Sequence, residues 1–305
     1  MKIHVLIYGR EGKLSDVSKI DLGLLEESAK KQGHELEVIY SYDCQMKFNG
    51  KPGVLIKNKI PKDIKTLLVK ANFLVEIDSR SALIKQFQLA GIDVINKHFS
   101  VLKAKNKVRT MQVLSYFKVP IPKTYTVTNA EYLDEAVRGV GKFPLILKTA
   151  TGSHGAGVSI IESRRALKSI IEMLSTAGGP DPVIILQEYV KESKGKDIRV
   201  FIVGGKIVAA MERIATKRGE FRSNFHLGGK VKIVDLSLQE KKIAKLAVKA
   251  VGLDMAGVDI LRTNDGPEVL EVNANPGLEG ITEATGLDVA GQVIKYVVKR
   301  SKQNV

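Results

Sequence analysis

Two strands near the end of the chain, residues 256–262 and 268–273, carry side chains that suit a metal site. An Asn-Asp-Gly turn joins them, which is a strong hairpin signal. Centring the turn on its aspartate places Asp259 opposite Glu271, and Asn273 then projects from the same face. Opposed carboxylates repel each other. A hard cation such as Mg²⁺ would relieve the repulsion, because it prefers carboxylate and amide oxygens. The alternative is a solvated polar face on an edge hairpin.

The same register predicts an apolar face on the other side of the hairpin. Val258, Ile260, Leu270 and Val272 alternate with the acidic positions and are expected to point away from them. A segment with proline and glycine, residues 274–280, follows at once and forces an abrupt turn beside the acidic side chains. This turn favours a functional site over a plain polar face.

A second group of residues suits phosphate. A predicted strand over 144–148 ends in Lys148, and the loop 151–157 that follows holds three glycines, among them Gly155. Glycines let backbone amides close over phosphate oxygens, and the lysine adds a point charge. The spacing is neither a Walker loop nor a Rossmann fingerprint. The alternative is an ordinary hairpin turn.

Two further stretches suit a nucleotide. The apolar strand 184–190 ends in an acid and a tyrosine, so its backbone could bind an adenine edge, and Asp197 could accept ribose hydroxyls. The loop 220–226 holds Arg222, which could stabilise charge on a transferring phosphoryl group. The alternatives are a surface acid and a surface arginine.

The apolar pattern of the first third alternates strands with helices, which predicts a small parallel sheet. Strands are expected at 2–8, 35–41, 73–77 and 92–95, and helices at 17–32 and 79–90. A single basic helix is expected over 97–118. Later strands are expected at 144–148, 158–162, 183–189, 198–203, 206–212, 230–234, 256–262 and 268–274, and later helices at 129–138, 163–176, 237–251 and 286–300.

In chain order, the phosphate loop, adenine strand, arginine loop and metal hairpin resemble the ATP-grasp ligases. More narrowly, they resemble the ribosomal-protein glutamate ligases of the RimK type. Almost the whole chain is similar to that family. The most specific stretches are 105–112, 191–199, Phe221-Arg222-Ser223-Asn224, 256–261 and 276–280.

The resemblance implies a fold of the α/β (α+β) class, an ATP-grasp fold with a small parallel-sheet domain before it. It implies a pre-ATP-grasp βαβ domain at 1–96, a central subdomain with the phosphate loop at 97–181, and a C-terminal subdomain with the magnesium site at 182–305. ATP would lie between the last two.

The resemblance also implies roles for individual residues. Those implied to bind the nucleotide are Lys107, Lys148, Gly155, Gln187, Glu188, Tyr189, Val190, Asp197, Arg222, Ser223 and Asn224. Arg222 and Asn224 are also implied to be catalytic. Asp259, Glu271 and Asn273 are implied to hold Mg²⁺, with Mn²⁺ as a substitute ion.

We therefore predict an ATP-dependent acid–amino-acid ligase that releases ADP and forms an amide through an acyl phosphate. The resemblance implies that L-glutamate is added to the C-terminal carboxylate of an acidic peptide or ribosomal-protein acceptor. We expect a homo-oligomer. We expect no membrane partner, since no apolar run approaches the roughly 18 residues of a membrane span. The single cysteine, Cys44, suggests a reducing compartment, so we expect the cytoplasm.

Charge and two departures from the family leave the acceptor open. The net charge is +15, from 48 basic and 33 acidic residues, which suits an acidic acceptor or a nucleic acid. A longer glycine-containing loop common in the family is missing before residue 79, and Asn275 stands where close relatives often carry serine. The acceptor could instead be a deazaflavin, a pterin or a free amino acid. A basic nucleic-acid-binding protein with a decayed site is the remaining alternative, although the chain has no aromatic-rich stacking strand.

Overall fold

Three larger β-sheets with helices packed on them make up the part of the chain that is described in a computed structural model, residues 1–150, 157–176, 183–216 and 229–303. The first sheet is parallel, with strand order β2-β1-β5-β6. Its elements are β1 (Lys2–Ile7), α1 (Asp16–Lys31), β2 (Glu35–Tyr40), β3 (Cys44–Lys47), β4 (Gly53–Ile56), β5 (Thr66–Lys70), α2 (Ile77–Leu89) and β6 (Asp93–Ile95), with β3 and β4 as a separate hairpin. The predicted small parallel sheet is confirmed.

One strand of this sheet was predicted in the wrong place. The strand expected at 73–77 is β5, Thr66–Lys70, and all five of its residues are buried. A strand buried on both faces shows no alternation of polar and apolar residues. The chain then crosses from β5 to α2 through residues 71–76, where Phe73 packs into the core.

The basic helix predicted over 97–118 is two helices, α3 (His98–Lys105) and α4 (Lys107–Tyr116). Asn106 separates them with an extended backbone, φ −120° and ψ 114°. Its side chain accepts a hydrogen bond from the amide of Arg109 at 3.1 Å, which caps the start of α4. Asparagine is favoured at the start of a helix because its short side chain can accept a hydrogen bond from a backbone amide that has no partner within the helix.

The second sheet is antiparallel, with order β7-β10-β8-β9. Its elements are β7 (Thr124–Val127), α5 (Leu133–Val140), β8 (Leu145–Thr149), β9 (Val158–Ile161), α6 (Arg164–Thr176) and β10 (Ile184–Glu188). It has a core of its own, built around residues such as Leu133, Leu147, Leu167 and Leu186.

The third sheet is antiparallel, with order β13-β12-β11-β14-β15. Its elements are β11 (Lys196–Val203), β12 (Lys206–Ile214), β13 (Lys230–Ile233), α7 (Leu238–Val251), β14 (Met255–Thr263), β15 (Gly266–Asn273), α8 (Glu279–Thr285) and α9 (Val289–Gln303). Helix α7 begins with a capping box, in which Ser237 and Glu240 satisfy each other's backbone amides.

The first and third sheets share their cores. One apolar cluster joins Leu6 and Phe87 to Leu114 of α4 and Val258 of β14, and a second joins β1 to β11 and α9. We therefore propose that the independently packed central unit runs from β7 to β10. This division differs from the expected 97–181, because α3 and α4 pack on the C-terminal sheet and β10 lies inside the central one.

Asn96 joins the N-terminal unit to the C-terminal sheet. Its side chain is fully buried. Its amide donates to the carbonyls of Met255 at 2.7 Å and Ala274 at 3.0 Å. Its oxygen accepts from the amides of Asp254 at 2.7 Å and Met255 at 2.8 Å. All four hydrogen-bonding positions of the side chain are satisfied, so the entry to β14 and the exit from β15 are held together.

Candidate active site

A cavity of about 560 Å³ lies where the three units meet. Ten of the residues assigned to the site from the sequence line it: Lys107, Lys148, Gln187, Glu188, Tyr189, Val190, Asp197, Asp259, Glu271 and Asn273. The other four, Gly155, Arg222, Ser223 and Asn224, lie outside the described residues. The cavity thus brings the adenine strand, two lysines and the acidic hairpin into one space.

The acidic hairpin has the expected facing pair for an unexpected reason. Asp259 pairs with Glu271, but Thr263 pairs with Gly266, so the loop has only two residues. A β-bulge next to Asp259 adds one residue to β15 and restores the pairing. The extra residue is Leu270, which lines the cavity, while Val269 enters the core. The prediction that Leu270 points away from the acidic face was wrong, because a bulge cannot be read from alternation.

Two arginines occupy the acidic face. Arg199 lies opposite Asp259 on neighbouring strands, and the two side chains form a two-point ion pair with distances of 2.6 and 2.7 Å. Arg213 forms the same arrangement with Asp197, at 2.6 and 2.7 Å, and its Nη2 also lies 2.8 Å from Asp259. A buried chain of alternating charges therefore crosses β12, β11 and β14.

This chain of charges sets the ionisation of Asp259. Burial alone would raise the pKa of Asp259, but the charges and hydrogen bonds of Arg199 and Arg213 outweigh it and hold the pKa below its ordinary value. The same carboxylates raise the pKa of Arg213 above its ordinary value, although burial opposes this. The repulsion expected between Asp259 and Glu271 is therefore already relieved by arginine.

Oxygen donors for a hard cation remain on this face. No group of three or more His, Cys, Asp or Glu side chains in the described parts of the chain forms a ready metal site. The donors are two carboxylates and one amide. Asp259 has about four lone-pair positions, and the arginines use three of them. The Asn273 amide, oriented to satisfy both ends, donates to Glu271 at 3.1 Å and accepts from Arg199 at 3.1 Å. This oxygen-only donor set fits Mg²⁺.

Lys148 is held at the cavity wall by a side chain of the adenine strand. Its ammonium group donates to the Gln187 side chain at 2.6 Å, and Gln187 in turn donates to Thr124 at 2.8 Å. Burial lowers the pKa of Lys148 to about 8, and the nearby charge of Glu271 opposes this. Because a bound phosphate would favour the charged lysine, this side chain is well placed for an anionic ligand.

The backbone ties the two lysines of the phosphate region together. The amide of Lys107 donates to the carbonyl of Ala150 at 2.9 Å, so the start of α4 sits against the exit of β8. Likewise, the amide of Glu188 donates to the carbonyl of Lys123 at 2.9 Å, which fixes the end of the adenine strand.

Comparison with known proteins decides the family. Residues 104–297 match the sequence model of the RimK-like ATP-grasp domain. The chain belongs to this family. It is 40% identical over 281 residues to the "Probable alpha-L-glutamate ligase 2" of Pseudoalteromonas atlantica, covering 92% of each protein. It is 37% identical to the "Probable alpha-L-glutamate ligase" of Thioalkalivibrio sulfidiphilus, covering 99% of this chain and 97% of that one.

A solved structure supports the fold. The ATP-grasp ligase PsnB, complexed with a phosphomimetic variant of its minimal precursor, Mg and ADP, superposes with a TM-score of 0.72 at 18% identity. The match covers 99% of both chains. The expected ATP-grasp fold is confirmed, and this RimK-like protein is an ATP-dependent ligase. None of the helices in its described segments has the length and apolar character needed to cross a membrane.

Sequence reasoning missed several cavity residues of this ATP-grasp ligase, among them Arg199, Arg213 and Lys105. Arg199 could have been found, because it lies two residues after Asp197 and so shares its strand face. Arg213 follows Glu212 at the polar end of β12, which is a weaker signal. Lys105 was expected on a single basic helix, and only the break at Asn106 reveals that it lines the cavity.

Proposed function

We propose that this ligase adds L-glutamate to the C-terminal carboxylate of a peptide of the ribosomal-protein type. The observation that carries the proposal is the single cavity that joins the adenine strand, Lys107 and Lys148 to the oxygen donors of the hairpin. Relatives named as glutamate ligases over nearly the full chain support glutamate as the added amino acid.

Phosphoryl transfer of this kind depends on position and charge neutralisation more than on a protein nucleophile. The main chain of Glu188, Tyr189 and Val190 would bind the adenine edge, and Asp197, held by Arg213, would face the ribose. Lys107 and Lys148 would hold the phosphates. The acceptor carboxylate would attack the γ-phosphate, and ADP would leave. The amine of glutamate would then displace phosphate from the acyl phosphate and form the amide.

Asp259, Glu271 and Asn273 would hold the metal, since their oxygens suit Mg²⁺. When bound, the ion would supply neutralisation of the phosphate charge. Arg199 competes for the oxygens of Asp259 and Asn273 before binding. We infer that it keeps the carboxylate ionised and oriented in the metal-free protein. Substitution by Mn²⁺ stays a prediction.

Charge supports an acidic acceptor. The net charge of +15 would attract a glutamate-rich peptide, and Asn275, one of the two departures from the family, lines the cavity. Burial raises the pKa of Cys44 to about 12, so this thiol stays protonated and unreactive. The lone thiol is in keeping with the proposed cytoplasmic location. The expected homo-oligomer stays a prediction that light scattering tests.

The test uses ATP, Mg²⁺, labelled glutamate and a synthetic peptide that ends in two glutamates. Mass spectrometry should show the peptide gaining whole glutamate residues, with one ADP released for each. Parallel reactions with a deazaflavin, a pterin or glutamate alone test the other acceptors. ADP release that depends on one of these and never on the peptide would contradict the proposal.

A further inference from the structure

The cavity continues beyond the residues proposed to hold ATP, as far as the N-terminal unit. There Asp21 of α1 and Lys70 of β5 line it and form a buried ion pair at 2.7 Å. The other oxygen of Asp21 accepts the amide of Leu278 at 2.8 Å, so this pair fixes the turn after the acidic hairpin. Since both charges are already matched, this pair organises the wall and leaves the recognition of an anion to another side chain.

Lys105 is that side chain, and the break between α3 and α4 places it in the cavity. Residues two apart on a continuous helix point about 200° apart, so a straight helix would send Lys105 and Lys107 to opposite sides. The extended backbone of Asn106 removes this constraint. Both lysines line the cavity as a result.

Among the described residues, no acid is matched to the Lys105 ammonium group. It donates one hydrogen bond, to the carbonyl of Phe73 at 2.8 Å, and lies 5.0 Å from the centre of the Phe73 ring. Unlike Lys70, it forms no ion pair with any carboxylate of the described residues. Burial lowers its pKa to about 8, with Glu271 acting in the opposite direction and Lys70 in the same one. The group is therefore mostly charged at neutral pH, and within the described segments only one of its three N–H donors is used.

We propose that Lys105 binds the acceptor carboxylate that becomes phosphorylated, beside the phosphates held by Lys107 and Lys148. This inference rests on the proposed function. Lys105 and Lys148 line the same cavity as Glu271 of the acidic hairpin. An ammonium group at this place offsets the repulsion between two anions that must meet.

The step needs no proton from Lys105. A carboxylate oxygen forms a bond to the γ-phosphorus, the bond from that phosphorus to the β-phosphate oxygen breaks, and ADP leaves with the electron pair. Lys105 keeps its three protons throughout. The later attack of the amine expels phosphate and releases one proton to solvent.

The test measures binding of two peptides to the protein loaded with Mg²⁺ and a non-hydrolysable ATP analogue. One peptide ends in two glutamates, and the other is the same peptide with a C-terminal amide in place of the α-carboxylate. We expect Lys105→Met to weaken the acid peptide roughly tenfold to a hundredfold, as for a lost hydrogen bond to a charged group. The amide peptide should bind the variant and the wild type alike, and affinity for the ATP analogue should not change.

Two further variants serve as controls for the binding experiment. Lys105→Arg keeps the charge and should recover most of the affinity. Lys103→Met removes an equal charge from the same helix and should behave as the wild type. Equal loss of ATP analogue and peptide in Lys105→Met would assign the lysine to the nucleotide and overturn the inference. So would unchanged binding of the acid peptide, or a wild type that binds neither peptide. Peptide binding that depends on Lys105 without any ligation would leave the inference standing and contradict the proposed function instead.

Discussion

Arg199 and Asp259 lie opposite each other on β11 and β14 and are joined by two short hydrogen bonds, at 2.6 and 2.7 Å. Both side chains are largely buried, 14% and 5% exposed. Buried ion pairs add little net stability, but loss of one partner leaves an uncompensated charge and is costly. The pair therefore makes the proposed metal site part of the folded core, and the two acids of the hairpin should respond differently to neutralisation.

Asp259→Asn should lower the free energy of unfolding of the metal-free protein by about 3–5 kcal/mol, because Arg199 and Arg213 lose their shared partner. Glu271→Gln should change it little, because Glu271 lies at the half-exposed end of the same face. Both variants should lose ligation. Urea unfolding and ADP release measure the two effects. Equal stability of the two variants would contradict the assigned role of the arginines.

Gly257→Ala should disturb the site through packing alone. An added Cβ would come within 2.9 Å of Pro276 and 3.0 Å of the Arg199 side chain. Overpacking of this kind costs about 1–3 kcal/mol, and here it should also reduce turnover by displacing Arg199. Gly23→Ala in α1 is the control, since the added Cβ would meet nothing within 4 Å. This substitution should stabilise the helix, because alanine has a higher helix propensity than glycine. Full activity in Gly257→Ala would show that turnover does not depend on the exact position of the Arg199 side chain.

Lys148 should give opposite pH trends with and without ATP. Burial lowers its pKa to about 8, Lys107 adds to this, Glu271 and Asp259 oppose it, and Gln187 accepts its hydrogen bond. ATP affinity should fall above about pH 8, as the phosphates lose the charged lysine. Without ligand, the folded state binds fewer protons than the unfolded one between about pH 8 and 10.5, so the lysine's contribution to the free energy of unfolding rises over this window.

The comparison for this pH effect is Lys148→Met, measured by nucleotide titration and by urea unfolding at pH 7, 8 and 9. As the pH rises, the ATP affinities of the variant and the wild type should converge. Over the same range, the free energy of unfolding of the wild type should rise relative to that of the variant. A variant that follows the wild-type trends at every pH would show that another group is responsible.

Arg222→Ala tests the loop assigned from sequence. An arginine that stabilises developing charge is worth on the order of a hundred- to a thousandfold in rate. Single-turnover ligation should slow by that amount while ATP affinity stays the same. Arg222→Lys should recover only part, because the planar fork is lost. If only the acceptor KM changes, the arginine recognises the acceptor.

The features of this molecule that the sequence predicts are those set by residues close together in the chain. The hairpin itself is local and was predicted. The pairing of Asp259 with Glu271 was predicted from a turn centred on Asp265, and it holds because the bulge at Leu270 offsets the shorter, two-residue loop. The bulge was not predicted, because the alternation of residue types does not signal it; it leaves Val269 in the core and Leu270 at the cavity. Likewise, β5 carries no alternation because both of its faces are covered by distant parts of the chain. Arg213 and Asp259, which form an ion pair, lie 46 positions apart in the sequence (213 to 259). No local pattern signals such a pair.

The four hydrogen bonds of Asn96 also bear on the order in which the chain is able to fold during synthesis. Its partner Met255 lies 159 positions further along the sequence. At about 5–20 residues per second, a ribosome needs roughly 8–30 s to make that length. Throughout this interval the N-terminal sheet lacks the strands that complete its core, while the central sheet, which has a separate core, is complete as soon as β10 has been made. The middle of this chain should therefore fold before its beginning, and released fragments that end near residue 200 should resist protease between β7 and β10 but not between β1 and β6.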